Sequence, residues 1–308
     1  MSKAAFIFPG QGAQTAGMGR DFYEQMGTAK KVYDTASELL GFSLPELCFE
    51  KNDRLDITEY TQAAMVTTSI AMMRVLLEET TLRPDVAAGL SLGEYCALAA
   101  AGVMSDEDAI TTVRQRGILM QEAVPTGIGS MAAVLAMDGE AIEKIIADIE
   151  GVQIANYNCP GQIVISGKKE AVELAAGKLK EGGAKRVIPL NVSGPFHSRM
   201  LTEAGEKLGR VLEPIKINTP VIPYVANVTA SYVTDAAMVK PLLMKQVYSS
   251  VRWHQSVEAM IADGVDTFVE IGPGRTLSGF IKKITRDVKV FNIEKIEDLE
   301  KVAGGMVC

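Results

Sequence analysis

The segment Asp85-Val86-Ala87-Ala88-Gly89-Leu90-Ser91-Leu92-Gly93-Glu94-Tyr95 decides how this chain is read. Residues 85–90 make a short apolar run of strand length. Ser91–Ala101 is rich in Ala and Leu and reads as a helix. Between the two stands G-x-S-x-G, from Gly89 to Gly93. This is the pattern of a nucleophile elbow, a sharp strand-to-helix turn that holds a serine in a strained conformation and needs small flanking residues. The hydroxyl then stands at a helix N-terminus, where free N–H groups and the helix dipole favour developing negative charge. About 0.1 such matches are expected by chance in a chain of this composition, so the flanking strand and helix patterns carry much of the weight.

Near the N-terminus, residues 4–8 read as a buried strand that runs into the loop Gly10-Gln11-Gly12. Helical patterns follow near 20–40, with Gly41 as a C′ stop, and near 58–79. A further helix is expected from Ser105, with Asp108 as its capping-box partner. This alternation predicts an α/β chain with a parallel sheet covered by helices. Residues 131–190 differ. They read as strand 131–137, helix 139–149, strands 152–157 and 162–167, helix 168–181 and strand 185–190. That order is β-α-β-β-α-β, the ferredoxin-like split unit. The chain then returns with strand 221–228, helices near 235–248 and 254–263, strand 265–271, a helix from Thr276 and strand 288–293. The expected units are 1–127 with 193–308 as the core and 128–192 as an inserted subdomain. A cleft between them is the natural substrate site.

The 308 residues are 47% hydrophobic and 22% charged, an ordinary globular composition. The net charge of −7 argues against a bulk attraction to nucleic acid. The N-terminal apolar run is too short for a signal-peptide core or a membrane span, so no membrane association is expected. Cys48, Cys96, Cys159 and Cys308 form no C-x-x-C, and no H-x-x-x-H accompanies them. They read as free thiols in a reducing cytoplasm, with no metal site.

A serine nucleophile needs a general base that titrates near neutrality, usually histidine. The chain has two, His197 and His254. His197 lies in the loop Val192-Ser193-Gly194-Pro195-Phe196-His197-Ser198, and His254 follows Trp253 at a helix start, with Val257 and Ile261 on its face. A histidine in the second setting is more often structural, so His197 is the candidate base. Spacing identifies no third member. On a helical wheel for 105–124, Arg114 and Arg116 lie on opposite shoulders of the apolar face, and periodicity does not choose between them.

Five segments together resemble, in order, the motifs of the malonyl-CoA:acyl-carrier-protein transacylases. They are Gly10-Gln11-Gly12-Ala13-Gln14, Gly89–Tyr95, Gln115-Arg116-Gly117, Gly194-Pro195-Phe196-His197-Ser198 and Glu270-Ile271-Gly272-Pro273-Gly274. The likeness runs from about Phe6 to Ile293. It implies an α/β-hydrolase-like core with a ferredoxin-like insert. It implies Ser91 as nucleophile, His197 as base and the backbone N–H groups of Gln11 and Leu92 as oxyanion hole. It assigns a carbonyl of Gln246, side-chain or backbone, to hold the His197 tautomer, and Arg116 to pair with the malonyl carboxylate. Leu92 and Phe196 resemble the malonyl-type rather than the methylmalonyl-type enzymes. Coenzyme A enters as a thioester substrate, with no cofactor. The implied partners are malonyl-CoA and an acyl carrier protein, and the default state is a monomer. One departure stands out: the family most often has His before the nucleophile, and here it is Leu90.

The alternatives are a serine hydrolase or thioesterase, which shares the elbow and the histidine, and a non-catalytic carrier-binding module. The absence of an evident Asp partner and the presence of a carboxylate-binding Arg motif argue against the first. The presence of both Ser91 and His197 argues against the second. Because carrier proteins are generally acidic, Lys282, Lys283 and Arg286, or Lys185 with Arg186, are candidate docking cations.

Overall fold

The computed structural model describes residues 2–305, so Cys308 lies outside the described residues. Among the described residues ten strands form two sheets. Six belong to the larger one: β1 (Lys3–Phe8), β2 (Val86–Gly89), β7 (Tyr224–Ala226), β8 (Ser231–Val233), β9 (Val265–Ile271) and β10 (Lys289–Ile293), in the order β10-β9-β1-β2-β7-β8. All neighbours are parallel except β7 and β8. A parallel sheet must be covered on both faces, and β1 shows why this one is. Phe6 and Phe8 enter one apolar cluster, while Ala5 and Ile7 enter another. Alternate side chains of a strand point to opposite faces, so a run with no polar residue needs cover on both.

The smaller sheet contains β3 (Gly129–Leu135), β4 (Val152–Cys159), β5 (Gln162–Lys168) and β6 (Arg186–Pro189), antiparallel in the order β4-β5-β3-β6. Helices Gly139–Ile146 and Lys169–Glu181 complete the β-α-β-β-α-β order. This sheet and its helices share a third apolar cluster, built from Val134, Ile142, Ile163, Ile165, Val172 and Leu179 among others. The fold is thus an α/β-hydrolase-like core with a ferredoxin-like subdomain.

Local signals account for most element ends. The Thr58–Glu79 helix spans the expected residues. Gly41 closes the Gly27–Leu40 helix with φ 74° and donates to Ser37 O. Ser105 caps the Asp106–Glu122 helix by accepting from the Asp108 N–H. Three elements depart from expectation. The 20–40 helix is two helices, Arg20–Gln25 and Gly27–Leu40, because Met26 is extended between them. The Thr202–Leu212 helix, absent from the periodicity reading, contains Gly205 and Gly209. Those glycines weaken its intrinsic signal, yet a Cβ at Gly205 would stand 2.7 Å from Met244 O, so they admit the neighbouring chain. The expected strand 221–228 is shorter, Tyr224–Ala226, and turns back as β8. Among the described residues no helix is long and apolar enough to cross a membrane. Cys48, Cys96 and Cys159 are buried free thiols.

The topology positions the site. In the β1–β2 register Phe8 lies opposite Gly89, so both strands end together and their loops leave side by side. β7 continues from Ala226 into Asn227 on the other flank of β2. In open α/β sheets such C-terminal strand edges are where ligands bind.

Candidate active site

The elbow is built by exclusion of side-chain atoms. A Cβ on Gly89 would fall 2.0 Å from the Gly93 carbonyl carbon, and one on Gly93 would fall 2.3 Å from Phe8 O. A Cβ on Gly10 would stand 2.7 Å from Leu90 O. No rearrangement of a flexible side chain relieves these contacts, since backbone lies on both sides. Glycine here lets the Gly10-Gln11 loop, the strand end and the helix start share one small space. Ser91 takes φ 52°, a left-handed conformation uncommon outside glycine. Its N–H donates to Asn227 Oδ1 at 2.7 Å, and Asn227 Nδ2 donates to Gly89 O at 2.7 Å. One amide thus clamps the strained turn from both ends.

His197 also has a left-handed backbone, φ 57°. Its Nε2 lies 2.8 Å from Ser91 Oγ, and its Nδ1 lies 2.7 Å from the backbone carbonyl of Gln246. A carbonyl accepts only, so Nδ1 carries the proton and Nε2 is the acceptor for the serine hydroxyl. Of the two carbonyls left open for Gln246, the backbone one performs this contact. The loop is held from the insert as well: Gln153 Nε2 donates to His197 O at 3.0 Å. Burial, then the nearby positive charge of Arg116, depresses His197 to about 4, so the imidazole is neutral at rest. His254 lies elsewhere and meets Glu258 one turn along its own helix at 3.2 Å.

Arg116 is only 1% exposed. Its Nη1 donates to Gln62 Oε1 at 2.7 Å, and its Nη2 donates to Gln246 Oε1 and to Ser91 Oγ, each at 3.0 Å. It reaches this depth because Gly117, next along the helix, lets the Asp106–Glu122 helix touch the start of the Thr58–Glu79 helix. A Cβ there would stand 2.7 Å from Glu59 Cα. Arg114, on the other shoulder, pairs with Glu59 at 2.6 Å and stacks over the Tyr60 ring at 4.3 Å. Tertiary contacts therefore separate two residues that the helical wheel left equal.

The N–H groups of Gln11 and Leu92 have no hydrogen-bond acceptor among the described residues. The Gln11 side chain is tethered, Nε2 donating to Thr58 Oγ1 at 3.2 Å, and Thr58 Oγ1 meets Ser193 Oγ at 2.8 Å. Phe196 is buried within the main apolar cluster, next to His197 in the chain. Leu90 is partly buried and packs against the apolar cluster that holds Ile7 and Trp253. Glu270 explains the last motif. It accepts from the N–H groups of Leu277 and Ser278, capping the Thr276–Ile284 helix, while Gly272 at φ 136° abuts Pro9 of the nucleophile-side loop.

Glu94, Asn227 and Gln62 also belong to this network, and no sequence motif assigns them to it. Glu94 Oε2 accepts from Gln246 Nε2 at 2.7 Å, and Gln246 Nε2 also donates to Ser91 O at 2.9 Å. A signal was present for two of them: Gln62 is a polar residue in the uncharged run 60–73, and Glu94 is a charge inside an Ala-rich helix. Nothing local marks Asn227.

The arrangement is a serine with a neutral imidazole on one side and a buried guanidinium on the other. The model of the acyl transferase domain family matches residues 5–302. The malonyl CoA-acyl carrier protein transacylase of Bacillus subtilis (strain 168) is 50% identical over 305 residues, 97% of this chain and 96% of that one. The crystal structure of the transacylase of the same description from Clostridium perfringens superposes with a TM-score of 0.95 at 44% identity, over 99% of this chain and 97% of that one. A malonyl-transacylase solved in complex with its type II PKS acyl-carrier protein gives a TM-score of 0.96 at 38% identity, over 99% and 100%. The chain belongs to the acyl transferase family, as an enzyme of its malonyl-CoA:acyl-carrier-protein transacylase group.

Proposed function

We propose that this enzyme moves malonyl from malonyl-CoA to the phosphopantetheine thiol of an acyl carrier protein through an acyl-enzyme on Ser91. One observation carries the reading: Ser91 Oγ lies 2.8 Å from His197 Nε2 and 3.0 Å from Arg116 Nη2. His197 takes the hydroxyl proton as Oγ attacks the thioester carbonyl. The N–H groups of Gln11 and Leu92 hold the oxyanion. The C–S bond then breaks, and the imidazolium returns its proton to the departing coenzyme A thiolate. The carrier thiol runs the same steps in reverse, which is ping-pong chemistry. The Gln246 carbonyl keeps Nδ1 protonated throughout. Arg116 turns from Ser91 and Gln246 to the malonyl carboxylate, offering two parallel N–H groups to two oxygens.

Phe196, beside the base, crowds an α-methyl group. Exclusion of one methyl is worth about 1–3 kcal/mol, so malonyl should be preferred to methylmalonyl by roughly 10–200-fold. In this reading residues 1–127 and 193–308 carry the chemistry, and 128–192 form the insert that holds the His197 loop through Gln153. The protein acts as a cytoplasmic monomer with no bound cofactor. The test is mass spectrometry of the intact protein after mixing with malonyl-CoA. A malonyl adduct on the wild type that Ser91→Ala lacks supports the acyl-enzyme, and adduct on Ser91→Ala refutes it. Prompt release of free malonate without a carrier protein would favour a hydrolase.

A further inference from the structure

The mechanism above leaves one buried acid unused. Glu94 is 1% exposed, in the first turn of the Gly93–Ala100 helix. Its Oε2 accepts from Gln246 Nε2 at 2.7 Å and from the Asn227 N–H at 3.2 Å. Its Oε1 has no partner among the described residues. The other end of the same Gln246 amide, Oε1, accepts from Arg116 Nη2 at 3.0 Å. Glu94 and Arg116 therefore sit at opposite ends of one amide. An ionised carboxylate only accepts, so the NH₂ of Gln246 must turn to Glu94 and its carbonyl to Arg116. The hydrogen-bond acceptors of Arg116, namely Gln62, Gln246 and Ser91, are all neutral. Glu94 is the anion whose field reaches it. The titratable groups facing Glu94 are Arg116 from the Asp106–Glu122 helix, Tyr95 from its own helix and Tyr224 from β7. Burial pushes both tyrosine hydroxyls far above their ordinary value, so both stay neutral.

We propose that Glu94 is a positioning residue that supplies the counter-charge of Arg116 in the empty site, through the Gln246 amide, and takes up a proton when the malonyl carboxylate arrives to replace it. The proposal rests on the reading of Arg116 as malonyl anchor. With malonyl bound, two carboxylates share one guanidinium in a buried site, and like charges there do not both stay ionised without cost. The proton comes from solvent and forms an O–H bond at Oε1, the oxygen that accepts no hydrogen bond in the empty site. Oε2 goes on accepting from Gln246, so the amide keeps its orientation and Gln246 O stays on His197 Nδ1. Burial already raises Glu94 to about 7, which brings this proton within reach at neutral pH. An acetyl group has no carboxylate and calls for no proton.

The experiment compares kcat/KM for malonyl-CoA and acetyl-CoA between pH 6 and 8 in the wild type, Glu94→Gln and Arg116→Ala. The ratio of the two cancels the phosphates of coenzyme A and the titration of His197, which both substrates share. In the wild type the malonyl:acetyl ratio should fall roughly three- to tenfold from pH 6 to 8, as ionised Glu94 increasingly competes for Arg116. In Glu94→Gln it should be flat, and above the wild-type ratio at pH 8 by a similar factor. A flat wild-type ratio overturns the proposal, and that measurement needs no variant to fold. A slope that persists in Glu94→Gln, or an equal loss for both substrates there, also overturns it and leaves Glu94 as packing alone. Arg116→Ala distinguishes the two readings. Lost malonyl preference with a flat wild-type ratio removes Glu94 and keeps the anchor, whereas retained preference removes the anchor and this proposal together.

Discussion

Arg116 Nη2 donates to Ser91 Oγ across 3.0 Å, so the proposed anchor of the malonyl carboxylate touches the proposed nucleophile. In the proposed mechanism a bound carboxylate draws the guanidinium off the hydroxyl, which leaves that hydroxyl to His197. On the proposed mechanism, selection of the substrate and freeing of the nucleophile are one movement of one side chain.

Arg116→Ala should lower malonyl transfer by about 2–5 kcal/mol, the usual cost of truncating one partner of a buried charge pair. Gln62 Oε1 and Gln246 Oε1 lose a donor in the same variant, which adds a stability cost visible in a thermal melt. Acetyl transfer should lose far less. Equal losses for malonyl and acetyl would make Arg116 a structural residue only. If Arg114→Ala abolished the malonyl preference instead, the anchor would be misassigned.

Activity should persist unusually far into acid. His197 must be neutral to accept the serine proton, and it is neutral above its depressed value of about 4. The acid limb of kcat/KM for acetyl-CoA should therefore fall as pH drops toward about 4, not near 6.5. A midpoint near 6.5 would mean that the loop opens His197 to water before reaction.

Stability should depend on pH through two opposed groups. Glu94 is raised to about 7 from an ordinary value near 4.5. The folded state then holds the extra proton between those values, and stability falls as pH rises through that window. His197 is lowered to about 4, so the unfolded state binds the extra proton below about 6.5 and stability rises with pH there. Glu94→Gln removes only the first effect. Its stability relative to the wild type should be greater at pH 8 than at pH 5, by up to about 3 kcal/mol. Denaturant melts at the two pH values check this, and an unchanged difference would refute it.

Gly117→Ala should damage the site from a distance. The added methyl meets Glu59 Cα at 2.7 Å, so the two helices must part. Overpacking of this kind costs about 1–3 kcal/mol of stability. Arg116 should move off Gln62 as the helices separate, and the malonyl:acetyl ratio should fall with stability. A stable variant with the wild-type ratio would show that the helices have slack.

Carrier docking should respond to charge reversal at the C-terminal end of the Thr276–Ile284 helix and just beyond it. Lys282, Lys283 and Arg286 are all exposed, but Arg286 lies beyond the end of that helix rather than on it, and Lys283 also donates to Gln162 of the smaller sheet at 3.0 Å. The double variant Lys282→Glu/Arg286→Glu therefore tests docking more cleanly than any change at Lys283. It should raise KM for the carrier protein in a salt-sensitive way and leave KM for malonyl-CoA unchanged. An unchanged carrier KM would remove this cluster from consideration.

Short-range physics made much of the protein legible from its sequence. The elbow could be read because its requirements are local: a strand, a turn without side-chain room, and a helix within about a dozen residues. The Ser105 cap and the Gly41 stop were legible for the same reason, since each satisfies backbone groups only a few residues away. The β-α-β-β-α-β order followed from a change in hydrophobic period. Tertiary structure decided what depends on residues far apart in the chain. It buried Arg116 against Gln62 and Gln246 and sent Arg114 to Glu59, because one helix packs closely at Gly117. It chose the backbone carbonyl of Gln246 for His197 and freed that side chain to bridge Arg116 and Glu94. It placed Asn227, 136 residues from Ser91, as the clamp on the nucleophile's own backbone. Such contacts leave no periodic trace, because a hydrogen bond across a buried site constrains two positions and says nothing about the residues between them.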